Sequence, residues 1–284
     1  MSFFQLIILA IIQGLAELLP VSSSAHVVVA EKLMGLDPSS PQMTLILVML
    51  HTGTMIAVIL YFWRQWRAAY FESAAAFKRF AWLVILATAL TGVIGEAIIK
   101  LIEKTIFRNV PHAEVEDLFS HLELIAPALA AAGVLIIIAG LRRKRDELTE
   151  RTSKGDLTTS QAGVIGAVQG LCLPFRGFSR SGATISTGML AGVPKFRAEA
   201  FSFALAVVLT PLVVGREVLR LRHAGQGATG GLGLSLVGAL FAFLAGLLAL
   251  RWLSRWLESG RWHFFGIYCL LAAVAVFVLH QMGY

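Results

Sequence analysis

Six stretches of the sequence are each long and apolar enough to cross a bilayer as a helix: Met43–Phe62, Phe80–Ile102, Leu122–Leu141, Ala198–Leu219, Leu232–Leu250 and Trp262–Leu279. A helix spanning the hydrocarbon core needs about 20 mostly apolar residues. Six such runs within 284 residues leave too little polar surface for a water-soluble fold. The composition agrees, with 57% hydrophobic and 14% charged residues, against about 25% charged in an average soluble domain. The sequence thus predicts an all-α integral membrane protein.

Two further apolar regions are interrupted. Phe3–Leu33 has one apolar arm, a polar break at Pro20, Ser22, Ser23 and Ser24, and a short second arm. Ser160–Val193 repeats this plan, with its break from Pro174 to Gly182. Each arm is too short to span comfortably. Irregular backbone at membrane depth is tolerated only where protein or a wet cavity covers it. Both regions are therefore predicted to be re-entrant helical hairpins. The first is not expected to be a cleavable leader, because Lys32 is its first basic residue and Gln13 and Glu17 interrupt the apolar run.

Gln13-Gly14-Leu15 recurs as Gln169-Gly170-Leu171, followed in each case by Pro and a Ser-containing loop. Three predicted spans separate the hairpins, so the second would enter from the opposite side. The expectation is one membrane domain over residues 1–284, built of two inverted-topology repeats, about 1–141 and about 160–284. Such repeats bring broken helices together near the midplane. Orientation follows from the basic residues. The segments Arg64–Arg79, Arg142–Lys154, Lys195–Arg197 and Arg251–Arg261 hold fifteen Lys and Arg, and the other side holds seven. The richer side is predicted to be cytoplasmic, although Arg216–Arg222 runs against the rule. The acidic stretch Glu114–Asp117 then faces outward. The net charge of +7 reads as topology signal and contact with anionic membrane lipids, not as a nucleic-acid surface. Cys172 and Cys269 have neither disulfide-framework nor zinc spacing.

The chemistry-bearing residues cluster in the breaks. Gln13 and Glu17 are four apart, hence on one helix face. A carboxylate in an apolar arm faces a cavity or a partner. Ser22, Ser23 and Ser24 open the second arm, and His26 follows. Serine there is an ordinary helix cap, and the same helix N-terminus offers backbone N–H groups to phosphate. The second break offers Ser179, Arg180, Ser181 and Gly182. Arginine is a planar fork suited to phosphate oxygens, and its anion here is either Glu17 or a substrate phosphate. Together the breaks hold a kit for phosphoanhydride hydrolysis. Ser23 or a water would attack, and His26 or Glu17 would act as acid or base. His51 and Glu199, in the spans after the hairpins, are candidate supporting groups beside Gln13, with structural pairing as the alternative.

The run Gln13-Gly14-Leu15-Ala16-Glu17-Leu18-Leu19-Pro20-Val21-Ser22-Ser23-Ser24-Ala25-His26 resembles the first signature of the bacterial undecaprenyl pyrophosphate phosphatases, the bacitracin-resistance family. Gly177-Phe178-Ser179-Arg180-Ser181-Gly182-Ala183-Thr184 resembles the second, Pro-Gly-x-Ser-Arg-Ser-Gly. His51-Thr52-Gly53-Thr54 and Glu199-Ala200-Phe201-Ser202 are also similar to family segments. The resemblance implies six transmembrane helices plus two re-entrant hairpins in a bacterial inner membrane, with the site open to the periplasmic side. It implies hydrolysis of the terminal phosphate of a prenyl pyrophosphate lipid, dependent on a divalent cation (Mg2+ or Ca2+) at Glu17, and leaves a homodimer open. Glu17, Ser23, His26 and Arg180 fall on the family's catalytic positions, with Ser23, His26 and water all open as nucleophile. Ser22, Ser24, Ser179, Ser181 and Gly182 fall on phosphate-binding ones. The chain departs from the pattern twice. Gln13 stands at the first acidic position. Phe175-Arg176 separates Pro174 from Gly177, where the family has Pro-Gly adjacent, and reads as an insertion that adds a charge. A lipid or small-molecule transporter is the rival reading, because inverted repeats and broken helices are common in transporters.

Overall fold

A computed structural model of the chain describes residues 1–37, 41–105, 122–144, 157–223 and 232–283. The described residues form helices and connecting turns, with no strand. In chain order the helices are α1 (Phe3–Leu18), α2 (Ser23–Leu33), α3 (Pro41–Tyr70), α4 (Ala74–Thr105), α5 (Leu122–Lys144), α6 (Thr159–Cys172), α7 (Arg180–Leu190), α8 (Lys195–His223), α9 (Leu232–Glu258) and α10 (Trp262–Gln281).

Among the described residues, five helices contain stretches long and apolar enough to cross a membrane: Leu45–Tyr70, Ala74–Ile102, Leu122–Arg142, Gly233–Glu258 and Trp262–Gln281. The sixth expected span, Ala198–Leu219, lies within α8, some of whose C-terminal side chains are outside the described set. The helices outrun the apolar segments read from sequence. α3 continues past Phe62 through Arg64, Gln65 and Arg67 to Tyr70. Such long polar residues are good helix formers whose stems lie along apolar surface while their heads reach water. The acidic stretch Glu114–Asp117 and most of Arg142–Lys154 lie outside the described residues.

Each broken region folds as two helices. α1 and α6 start with the same device. Ser2 accepts from the Gln5 amide at 3.2 Å, and Gln5 returns a bond to the Ser2 amide. Thr158 and Gln161 repeat this at α6. Such a capping box satisfies two of the free amides at a helix start. The same glutamines then tie the arms together. Gln5 Nε2 donates to Met34 O at 3.2 Å and Gln161 Nε2 to Ala191 O at 3.0 Å, each the C-cap of the second arm.

The packing crosses the two halves. α1 lies along α9, α6 lies along α4, and α5 pairs with α10. Close approach needs glycine. A Cβ on Gly14 would come 2.6 Å from Ala242 O, and one on Gly170 would come 2.8 Å from Thr91 O. Gln169 beside it is fully buried and donates to Thr91 Oγ1 at 3.2 Å. The main core runs from Leu18 and Leu19 through Phe62, Phe201, Phe203, Leu253 and Trp262. Many large apolar side chains point outward instead, Val93 and Leu271 being about two-thirds exposed. A lipid-facing surface is expected to look like this.

Candidate active site

The first loop is shaped by Pro20, which follows the α1 C-cap Leu19 and cannot supply the next helical N–H. Two residues on, Ser22 adopts φ 68°, alone among the described non-glycine residues in having positive φ. Such a backbone costs on the order of 1–3 kcal/mol and clusters at functional sites. The surroundings hold it: the Ser22 carbonyl accepts from His26 Nδ1–H at 2.7 Å, and its hydroxyl lies 3.3 Å from Ser24 Oγ. The turn starts α2 at Ser23, whose hydroxyl reaches back to α1.

The second loop ends at Ser179, which caps α7 by accepting from the Gly182 amide at 3.2 Å. Within it the Phe178 amide donates to Phe175 O at 3.1 Å. Arg176 and Gly177 are therefore the central pair of a tight turn, with Gly177 at φ 104°. A positive φ at the third position marks a type II turn, where Pro is favoured at the second and Gly at the third. Arg176-Gly177 occupies the places of a Pro-Gly pair, so Arg176 stands for the proline and is not an inserted residue as the sequence suggested. A Cβ on Gly177 would lie 2.5 Å from Ile125 O, so the turn is pressed against α5.

The loops meet at Glu17. Its Oε2 accepts from Ser23 Oγ at 2.6 Å and from Gln13 Nε2 at 3.2 Å. Its Oε1 accepts from Arg180 Nη2 at 3.0 Å. Ser181 Oγ donates to Leu19 O at 3.2 Å, pinning α7 to the end of α1. Arg180 Nη1 is buried and has no hydrogen-bond partner. His51 Nε2 stands 3.7 Å from Glu17 Oε2. The His51 Nδ1–H donates to Leu47 O at 2.7 Å, so in the neutral ring Nε2 carries the lone pair. Glu17, Ser23, His51, Arg180 and Ser181 open on a cavity of about 290 Å³ lined also by Ser22, Ser24, Ser179, Cys172, Arg176 and Phe178.

A carboxylate bonded to a hydroxyl, beside a guanidinium with a donor to spare, suits a phosphate-transfer site. The comparisons with known proteins agree. The family model described as bacitracin resistance protein BacA matches residues 6–275. This chain belongs to that family. It is 56% identical over 287 residues to undecaprenyl-diphosphatase 2 of Acinetobacter baylyi, covering 98% of each chain. It is 34% identical to undecaprenyl-diphosphatase 2 of Burkholderia orbicola, covering 99% of each. It is 30% identical to undecaprenyl-diphosphatase of Rhodopirellula baltica, covering 98% of each.

Of the residues singled out in the sequence, Gln13, Glu17, Ser23, His51 and Arg180 come together in this BacA-family chain. Ser22, Ser24, Ser179 and Ser181 line the cavity, and Gly182 supplies its amide to Ser179. His26 is turned elsewhere. Its Nδ1–H serves the Ser22 carbonyl, and its Nε2 accepts from the Tyr268 hydroxyl at 2.7 Å, with the rings stacked at 5.6 Å. Glu199 is also apart, accepting from Ser254 Oγ at 2.7 Å. Tyr268 was not singled out. Its signal was a phenol inside an apolar span, where a hydroxyl needs a partner. Among the described residues no group of three or more His, Cys, Asp and Glu is arranged to hold a metal ion. Glu17 accepts three bonds, and a carboxylate has about four acceptor sites, so it has room for one metal–oxygen bond. A hard cation takes six or more oxygens. The residues therefore fit a cation held mostly by substrate phosphates and water.

Proposed function

We propose that this chain is an undecaprenyl-diphosphatase that removes the terminal phosphate of the C55 prenyl pyrophosphate. The product returns to use as the lipid carrier of cell-wall synthesis, and removal of the pyrophosphate lipid lowers sensitivity to bacitracin. The observation that carries the reading is the junction at Glu17, where a hydroxyl of one hairpin and a guanidinium of the other meet on one carboxylate.

The geometry supports the following roles. Ser23 Oγ attacks the terminal phosphorus as its proton passes to Glu17. The bond from that phosphorus to the bridging oxygen breaks, and the oxygen leaves with the lipid monophosphate. Water then hydrolyses the phosphoserine, giving orthophosphate and returning the proton to Ser23. Arg180, at the cavity wall, stabilises the transferring phosphoryl, where positioned positive charge is most effective. The amides at the starts of α2 and α7 add donors. His26 fixes the Ser22 turn that delivers Ser23. A divalent cation (Mg2+ or Ca2+) at Glu17 would spread phosphate charge.

The crossed packing, the duplicated capping boxes and the paired Gln-Gly positions support two inverted repeats with re-entrant hairpins in one membrane domain. The charge bias supports a bacterial inner-membrane orientation with the site open outward. A homodimer is compatible with this arrangement. The transporter reading draws on the same architecture, but the 2.6 Å hydroxyl–carboxylate contact favours chemistry. Purified protein in detergent should release orthophosphate from a prenyl diphosphate. Folded protein without phosphate release would favour transport.

A further inference from the structure

His51 and Glu17 face each other in the wall of the cavity, which both of them line. His51 Nε2 stands 3.7 Å from Glu17 Oε2, and the imidazole is 41% exposed. The other ring nitrogen is occupied. Its N–H donates to Leu47 O, one turn back along α3, at 2.7 Å. That bond orients the ring and, in the neutral form, leaves the Nε2 lone pair toward the carboxylate. Two electron-rich atoms so placed accept either a proton or a metal ion between them. Arg180 already meets the Glu17 charge at Oε1, so Glu17 does not depend on a charged His51 for its counter-ion.

A metal-bound histidine has this arrangement, with one nitrogen on the ion and the other donating to a backbone carbonyl. Imidazole nitrogen and carboxylate oxygen each lie about 2.0–2.2 Å from a bound transition ion, which sets two adjacent ligand atoms about 3.0–3.4 Å apart. The observed gap is slightly wider, and a small swing of the His51 side chain closes it. Of the three bonds that Glu17 accepts, the one from Gln13 at 3.2 Å is the longest. It is the bond that an ion at Oε2 would replace. His26 offers no alternative nitrogen, since Ser22 O and the Tyr268 hydroxyl occupy both of its ring positions.

We infer that His51 is a direct ligand of the divalent cation, which it shares with Glu17, and that this nitrogen opens the site to first-row transition ions, held more tightly than Mg2+ or Ca2+. The inference rests on the hydrolase reading above, whose phosphate oxygens, with water, complete the coordination shell. Mg2+ and Ca2+ take oxygen ligands, whereas imidazole suits the later transition ions. With Gln13 in place of an acid on the α1 face, His51 restores a second protein ligand.

The test reads the metal, not turnover. Pulsed EPR of Mn2+ bound to the purified protein with methylene diphosphonate, which is not hydrolysed, should show coupling to a directly bound imidazole nitrogen. The coupling should change on isotopic labelling of histidine nitrogen and vanish in His51→Gln. Calorimetry on the substrate-free protein should show Co2+ binding weakened at least about tenfold in His51→Gln, the low end for a disturbed metal site. Mg2+ binding should stay within about twofold, because Mg2+ makes little use of nitrogen, and its retention shows that the variant is folded. A wild-type protein without nitrogen coupling would overturn the assignment. A coupling that persists in His51→Gln would do the same, as would equal weakening toward Co2+ and Mg2+, since His51 would then act on the site only through Glu17. A wild-type protein that shows the coupling but releases no phosphate would sink the hydrolase reading and leave the ligand assignment standing.

Discussion

Arg180 Nη2 donates to Glu17 Oε1 at 3.0 Å across 163 residues of sequence. The two side chains belong to different hairpins and are both mostly shielded, at 23% and 17% exposure. Neither charge could stay in this apolar setting alone. Each therefore holds the other in place across the two loops.

Arg180→Lys keeps the charge but loses the planar fork. Phosphate release from the prenyl diphosphate should fall about 10²–10³-fold, the usual effect of removing one preorganised donor. Glu17→Gln should fall at least as far. The double variant should lose less than the product of the two, because both groups act on one step. Gel-filtration profiles in detergent would confirm folding, and near-normal rates in the single variants would refute both catalytic roles.

Ser23→Ala removes the hydroxyl that donates to Glu17 at 2.6 Å. Turnover should fall by two or more orders of magnitude, on the order of 10² or more, as for loss of an activated nucleophile. Acid-quenched wild-type protein should carry phosphate on the peptide containing Ser23, seen by mass spectrometry. A fast reaction in Ser23→Ala would make water the nucleophile.

Tyr268→Phe deletes the hydroxyl that donates to His26 Nε2 and keeps the stacked ring. Loss of one hydrogen bond typically costs about 0.5–1.5 kcal/mol, so activity should fall about 2- to 12-fold. His26→Ala should fall further, because the Ser22 carbonyl also loses its donor at the strained turn. Measured kcat and KM for both variants check the order. Equal rates for wild type and Tyr268→Phe would mean that this contact does not position His26.

Gln13→Glu places a second carboxylate one helical turn from Glu17. With more oxygen ligands available, Mg2+ or Ca2+ should bind more tightly. Calorimetry on the substrate-free protein should show stronger cation binding than in wild type. Half-maximal turnover should then need less cation. Unchanged cation binding would place position 13 away from the metal.

Topology is open to labelling in a background with Cys172 and Cys269 replaced by Ser. A cysteine at position 116 should react with an impermeant thiol reagent in intact cells, and one at position 150 should not. The reverse pattern would overturn the orientation drawn from basic residues.

The sequence by itself determined the class of fold and the ingredients of the site. Apolar run length and scarce charge dictate spanning helices, because backbone polar groups in lipid must be satisfied within the helix. Pro20, Pro174 and the serine clusters mark the two breaks through local rules that need no tertiary contact. Even the capping boxes at Ser2 and Thr158 are legible as Ser or Thr followed three residues later by Gln. Partnership was not legible, because it depends on which faces of distant helices meet. His26 lies close to Ser23 in sequence, yet the path of α2 turns its ring to Tyr268, 242 residues away. His51, from the following helix, stands instead beside Glu17. Glu199 matched a family segment, but its place on α8 gives it to Ser254. Arg176 read as an insertion until the Phe175–Phe178 turn showed it in the place of a proline. Residue type and spacing fix what a side chain is able to do. Helix rotation and crossing, set by contacts such as Gly14 on Ala242, decide which group it does it with.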